Sequence, residues 1–140
     1  MADRLDMEIA RYLLDNSKLS IRDLGKLCGV SPGTIRNRLQ KMEGDKEIIA
    51  YTTRFQVKKL GIDEAILGLD IMPEQYTKTL ETLKDFVFVK SLFSTSGDHS
   101  AIAIIVSGLY GMDLNQCILE IENTAGVRNV YPSIVNSTLK

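Results

Sequence analysis

Arg36, Asn37, Gln40 and Lys41 are the residues of this chain whose types and spacing best suit a chemical task. A guanidinium pairs bidentately with a guanine edge, a carboxamide does the same with adenine, and an ammonium neutralises a phosphate. Spacings of three and four place these side chains on adjoining faces of one helix. Arg36 suits guanine, Asn37 suits adenine, and Gln40 is next along the same face. Ser31 and Thr34, at the N-terminal end of that helix, can donate to a phosphate with the helix dipole behind them. Lys41, Arg22 and Arg54 are further phosphate candidates. Arg38 lies between the apolar Ile35 and Leu39, so a phosphate clamp and a structural role are both open to it.

A second cluster is the run Ser96-Gly97-Asp98-His99-Ser100. It is a turn signal that offers backbone amides, two hydroxyls, a carboxylate and an imidazole. A small polar ligand suits it, and so does an ordinary glycine turn with solvated side chains. His99 is the sole histidine and the one side chain whose ordinary titration range spans neutral pH, which makes it a candidate pH sensor. Catalysis has little support. The chain offers no Ser-His-Asp or Cys-His set, no phosphate loop and no paired carboxylates between apolar positions. Cys28 and Cys117 sit in different halves with no CxxC, so a metal site is not expected, nor is a cofactor. Two buried thiols in a reducing compartment is the reading adopted for them.

The elements that must hold Arg36 to Lys41 are written with their punctuation. Ser20 is an N-cap and Asp23 its capping-box partner. Ile21, Leu24, Leu27 and Cys28 form one apolar face, and Gly29 stops the helix. Ser31 caps the next helix, with Pro32 at its first position. Ile35, Leu39 and Met42 make a narrow apolar stripe. A capped helix, a glycine turn and a second helix with a basic outer face is the helix-turn-helix pattern. An ordinary helical hairpin shares the turn, but here both caps and the charge bias agree. Lys18, Arg22, Lys26, Arg36, Arg38 and Lys41 face only Asp23 in that stretch. Leu5, Ile9, Leu13 and Leu14 give an earlier helix, about residues 3–16, that packs beneath the pair. After a turn at Gly44-Asp45-Lys46, residues 47–57 turn β-like, as a wing or a connecting strand.

The net charge of −1 does not announce a nucleic-acid binder, but its distribution does. Residues 1–60 carry 12 Lys/Arg and 8 Asp/Glu, a net of +4, whereas residues 61–140 carry 5 and 10, a net of −5. One part for DNA and another for a different task follows. The domains are therefore placed at 1–51 for DNA binding, 52–62 for a linker, and 63–140 for the second task. No apolar run approaches the ~18 residues of a membrane span. The charged N-terminus lacks the apolar core of a signal peptide. A soluble cytoplasmic protein is expected.

The second half reads as strand (65–71), helix from Pro73, strand (87–95), strand (101–107), helix capped by Asp113, and strand (127–138). Pro132 inside the last strand demands an edge or a bulge. The order βαββαβ is the ferredoxin-like unit, giving an α+β chain. Two helices cover one face of such a sheet, and the other, partly apolar, is a reason to dimerise.

Taken together, these residues resemble the Lrp/AsnC (feast/famine) family of transcription regulators over essentially the whole chain. The likeness is carried by Leu5-Asp6, by Leu24-Gly25-Lys26-Leu27-x-Gly29-Val30-Ser31-Pro32-x-Thr34-Ile35-x-x-Arg38-Leu39, by Ile48-x-x-Tyr51-Thr52, by Ser96-Gly97-Asp98, and by Gly126-Val127. The resemblance implies a winged helix-turn-helix joined to a ferredoxin-like effector domain. It implies homodimers through the effector domains, often built up to octamers. It also implies an amino acid or related metabolite bound near Gly97, with Ser96, Gly97, Asp98, His99 and Ser100 as the effector set. A dimer would present two recognition helices to half-sites about 34–36 Å apart on a pseudo-palindromic operator in double-stranded DNA. Three departures stand out. Gly25 replaces the usual alanine, Lys46 replaces a common glycine, and Ser100 stands where many members carry aspartate. Two rival functions remain, an architectural protein that wraps DNA with weak specificity, and a decarboxylase of sirohaem-type tetrapyrroles. The latter needs His and Arg in the effector half, where His99 and Arg128 are the only ones.

Overall fold

Asp3 and Asp6 start the first helix, α1 (Arg4–Asp15), by capping each other. The Asp6 amide donates to the Asp3 carboxylate at 3.1 Å and the Asp3 amide donates to Asp6 at 3.0 Å. This satisfies two of the amide donors that every helix N-terminus leaves free. In α2 (Ile21–Cys28), Ser20 accepts from the Asp23 amide at 3.0 Å. The expected return bond from the Asp23 carboxylate is not made, so this is a simple cap. Gly29 closes α2 at φ 69°, the left-handed conformation that glycine adopts without steric cost. Ser31 caps α3 (Pro32–Gly44), with Pro32 at its first position.

The computed structural model describes residues 1–140, which divide into two units, Met1–Arg54 and Phe55–Lys140. Ile9, Leu24, Ile35 and Met42 form the centre of the first unit, one or two from each helix. Leu27, expected inward, is about half exposed. Gly25 is buried instead and turns the contact face of α2 towards Ile21, Leu24, Gly25 and Cys28. That face leaves Leu27 more than a quarter of a turn away. A Cβ on Gly25 would lie 2.8 Å from the Val30 carbonyl oxygen, so the turn closes directly over this residue.

No wing forms. Residues 47–56, expected to be β-like, carry no strand pairing. A β-rich sequence becomes a strand only where another backbone meets it, and this unit offers none. The segment is tied down locally. The Glu47 and Ile48 amides donate to the Met42 carbonyl at 2.9 and 3.0 Å, and the Tyr51 hydroxyl donates to Glu43 Oε1 at 2.7 Å.

The second unit opens on a 3-10 turn, Val57–Leu60, and then β1 (Asp63–Ile71). Pro73 begins a 3-10 turn, Pro73–Gln75, rather than the helix itself, and α4 follows at Tyr76–Lys84. Next come β2 (Val89–Ser94), β3 (Ala101–Ser107), α5 (Leu114–Glu122) and β4 (Val127–Ile134). A reciprocal Asp113–Gln116 box caps α5. The last strand stops at Ile134, short of the expected Thr138. The sheet order is β2-β3-β1-β4, all antiparallel, which is the ferredoxin-like arrangement. Pro132 pairs opposite Leu67 on β4, an edge strand, where a missing N–H costs least. Ala65, Leu67, Leu69 and Ile71 alternate inward with Ala101, Ala103 and Ile105, and Leu83, Cys117 and Ile121 cover them from α4 and α5. Both helices pack on this one face.

Candidate nucleic-acid interface and effector turn

Ile35 and Met42 are buried and orient α3. Arg36, Asn37, Gln40 and Lys41 are consequently all exposed on its outer side. Arg22 and Lys26 are exposed on α2, and Arg54 at the end of the unit. The side chains at the head of α3 are paired with each other. Ser31 Oγ accepts from the Thr34 amide at 3.2 Å and lies 2.9 Å from Thr34 Oγ1. Ser31 is exposed and Thr34 half-buried, so a phosphate at this helix end would meet the Ser31 hydroxyl first.

Arg38 is placed differently. Its guanidinium donates to Asp3 Oδ2 at 2.5 Å and to Asp6 Oδ1 at 3.1 Å. The Asp6 side chain is fully buried, and Arg38 keeps 30% of its side-chain surface. Of the two roles open to it, the geometry supplies the structural one, joining α3 to the start of α1. The Arg38 hydrogen bond, with the Asp6 amide next in importance, holds the Asp3 carboxyl down at about 2, against an ordinary 3.8. Hydrogen bonds to the Asp3 and Asp6 carboxylates raise the Arg38 pKa further. The pairing depends on residues more than thirty positions apart, which helical periodicity does not report.

A groove of about 710 Å³ lies elsewhere in this unit, lined by Leu13, Leu14, Met42, Ile48, Ile49 and Tyr51 among others. Only Arg54 of the candidate DNA set lines it.

The structure divides the five residues of the candidate effector turn. Ser96, Gly97 and Asp98 form an exposed tip, with Gly97 at φ 140°. The base is fastened by the Thr95 amide to the Ser100 carbonyl at 3.2 Å and by Thr95 Oγ1 to the His99 carbonyl at 2.7 Å. Ser100 faces the strands. Its Oγ accepts from the Ile71 amide at 2.9 Å and donates to the Leu69 carbonyl at 3.0 Å. The Ser100 hydroxyl is thus spent on joining the turn to β1. His99 leaves the turn and lies on the open face of the sheet, 3.3 Å from Asp70 through Nδ1. Tyr76, which carries no motif in the sequence, also belongs here. Its hydroxyl donates to the Ser100 carbonyl at 2.7 Å and lies 2.7 Å from Ser94 Oγ. Only its phenol group, at the start of a helix, could have flagged it.

Burial pushes both thiols up, with the nearby carboxylates Glu8 and Asp113 adding to it, so neither Cys28 nor Cys117 is poised as a nucleophile. No group of three or more His, Cys, Asp or Glu is arranged to hold a metal ion. No helix is long and apolar enough to cross a membrane.

Known proteins share this arrangement. Residues 3–43 match the AsnC-type helix-turn-helix domain. The chain is 34% identical over 142 residues to the HTH-type transcriptional regulator LrpA of Pyrococcus horikoshii, spanning the full length of both. It is 36% identical over 107 residues to the HTH-type transcriptional regulator Ptr1 of Methanocaldococcus jannaschii, covering 76% of this chain and 72% of that protein. Its fold matches the feast or famine regulatory protein of M. tuberculosis complexed with L-methionine. The TM-score is 0.73 and the identity 21%, over 99% of this chain and 94% of the other.

Proposed function

Because the chain belongs to the Lrp/AsnC family of transcription regulators, we propose that it reads a specific operator in double-stranded DNA through the outer side of α3. The carrying observation is that Arg36, Asn37, Gln40 and Lys41 are exposed together while Ile35 and Met42 anchor the helix from behind. Arg36 and Asn37 read base edges, Gln40 extends the same face, and Ser31, Arg22, Lys41 and Arg54 hold phosphates. A regulator, not an enzyme, is what its relatives are.

The second unit makes the dimer. Its uncovered sheet face carries Ile66, Phe93 and Tyr131, at 42, 50 and 48% exposure, beside Ile102, Ile104 and Val106. An apolar face of this kind favours burial against a second copy. Two copies supply two recognition helices and a pseudo-palindromic site, and the family likeness extends this to an octamer. The effector is an amino acid or a related metabolite held at the exposed tip Ser96-Gly97-Asp98. The methionine bound to the M. tuberculosis protein supports that class.

The test is retention of the chain's own upstream DNA against a random competitor, with and without each of the twenty amino acids. Specific retention changed by one amino acid supports both parts. Specific retention that none of them changes keeps the DNA reading and removes the amino-acid effector. Equal retention of random DNA replaces the operator reading with the architectural one. Asn37→Ala is expected to weaken operator binding about 5- to 150-fold, the range of one bidentate base contact, while leaving random-DNA binding unchanged.

A further inference from the structure

On the open sheet face His99 meets Asp70 beside the apolar Ile66, Ile102 and Tyr131. The imidazole covers Gly68 so closely that a Cβ there would overlap the ring. Nδ1 is 3.3 Å from Asp70 Oδ1, and the ring centroid is 4.9 Å from that of Tyr131 on β4. The two side chains keep 30 and 32% of their surface. The strand register shows what else shares the face. β1 contributes Glu64, Ile66, Gly68 and Asp70; β3 contributes Ile102, Ile104 and Val106. β2 contributes Ser91 and Phe93, and β4 contributes Asn129, Tyr131 and Ser133. The charged groups around His99 are therefore Asp70 and the more distant Glu64 from β1 and Asp98 from its own turn. Arg128, the extra residue where the β1–β4 register shifts, is the only cation near them in sequence register. No ion pair ties Arg128 to Asp70.

Building on the reading that a second copy covers this face, we propose that the Asp70–His99 pair takes up a proton on dimerisation and so makes the dimer tighter as pH falls. With a neutral imidazole the pair carries one negative charge, and a two-fold dimer would close over two of them. Withdrawing an uncompensated carboxylate from water is unfavourable. One added proton makes the pair neutral overall, whether it sits on the imidazole or the carboxyl, so it belongs to the pair. The covered state thus binds more protons than the open one. Association then strengthens towards the pH at which both states are protonated. Two pairs per dimer limit the effect to about 100-fold in Kd per pH unit. Gly68 belongs to the same device, because any side chain there would lift the ring off the face.

The test is the dimer Kd at pH 8.0, 7.0, 6.0 and 5.5, by sedimentation of fluorescently labelled full-length protein. Where the dimer persists at the lowest concentration, the rate of subunit exchange serves instead. The unaltered chain is expected to tighten by at least about tenfold from pH 8.0 to 5.5. His99→Gln removes the titrating ring and is expected to be nearly flat over the same range. Asp70→Asn should reverse the sign, because its pair is neutral at high pH and gains an uncompensated charge on protonation. A dimer whose Kd does not change with pH overturns this proposal alone, as does the unaltered slope persisting in both variants. A chain monomeric at every pH overturns it together with the covered-face reading.

Discussion

Replacing Ser100 by alanine separates two roles that its position could serve. The hydroxyl accepts from the Ile71 amide at 2.9 Å and donates to the Leu69 carbonyl at 3.0 Å. Alanine removes both bonds with unequal consequences. The Leu69 carbonyl keeps the Ser100 amide at 3.1 Å, so it stays satisfied. The amide of Ile71, a buried residue, loses its acceptor. Leaving one buried donor unpaired costs about 1–3 kcal/mol. The lower half of that range applies, because Ser100 is only partly buried and water can reach the gap. The expected loss is about 1–2 kcal/mol, confined to the second unit. Urea unfolding supplies the magnitude and amide exchange of Ile71 the location. Ser100→Thr keeps an acceptor and donor in place and should lose less. Ser100→Asp keeps the acceptor for Ile71 but sets a carboxylate oxygen against the Leu69 carbonyl, and should be worse than alanine near neutral pH. The reasoning is refuted if Ser100→Ala unfolds within about 0.3 kcal/mol of the parent with Ile71 equally protected. An altered response to effector in that equally stable variant would return Ser100 to the ligand.

Three further outcomes follow from the first unit. Arg38→Met should lower its urea midpoint, because buried Asp6 loses its cation, and should leave the salt dependence of DNA binding unchanged. A shallower salt slope would make Arg38 a phosphate contact after all. The Asp3 carboxyl, held at about 2 by Arg38, titrates below its unfolded value of 3.8. Its contribution to stability is complete above about pH 4 and disappears as pH falls through 2, which carboxyl NMR titration checks; in Arg38→Met that titration should move up. Gly25→Ala sets a favourable helix term of about 1 kcal/mol against a Cβ placed 2.8 Å from the Val30 oxygen. The Val30 amide is itself bonded to the Gly25 carbonyl at 2.9 Å, so the turn cannot open freely. Overpacking of this kind costs about 1–3 kcal/mol, and thermal unfolding should show a net loss.

Local signals were legible and distant ones were not. Ser20, Gly29, Ser31 and Asp113 mark helix ends because a cap is a contact within three or four residues. The apolar run from Ala101 to Ser107 and the proline at 132 are likewise local, the first marking a strand and the second the edge strand β4. Residues 47–56 have strand composition without a strand, because pairing needs a second backbone that no short window supplies. The fate of Arg38 depended on Asp3 and Asp6, and that of His99 on a glycine thirty-one positions earlier. In each case a polar side chain next to a candidate site was bound by a partner brought to it by the fold. The exposed row on α3 was readable for the opposite reason, since periodicity alone sets which residues a helix turns outward.

The charge contrast between the two halves also changes meaning once the helices are placed. The helix α1 and its cap carry Asp3, Asp6, Glu8 and Asp15 against Arg4 and Arg11. The helices α2 and α3 carry Arg22, Lys26, Arg36, Arg38 and Lys41 against Asp23 and Glu43. Asp3 and Asp6 then withdraw Arg38. The exposed cations on the proposed DNA-binding side are Arg22, Lys26, Arg36 and Lys41, with Arg54 at the end of the unit, on a chain whose total charge is −1. Binding in this arrangement depends on the number of phosphates those side chains reach and not on the net charge. Five cations per protomer bound the salt dependence of a dimer at a slope of about −9 in log K against log salt. Lys41→Ala, which removes one from each protomer, should make it shallower by about 2. A dimer slope unaffected by Lys41 would mean that another surface faces the DNA.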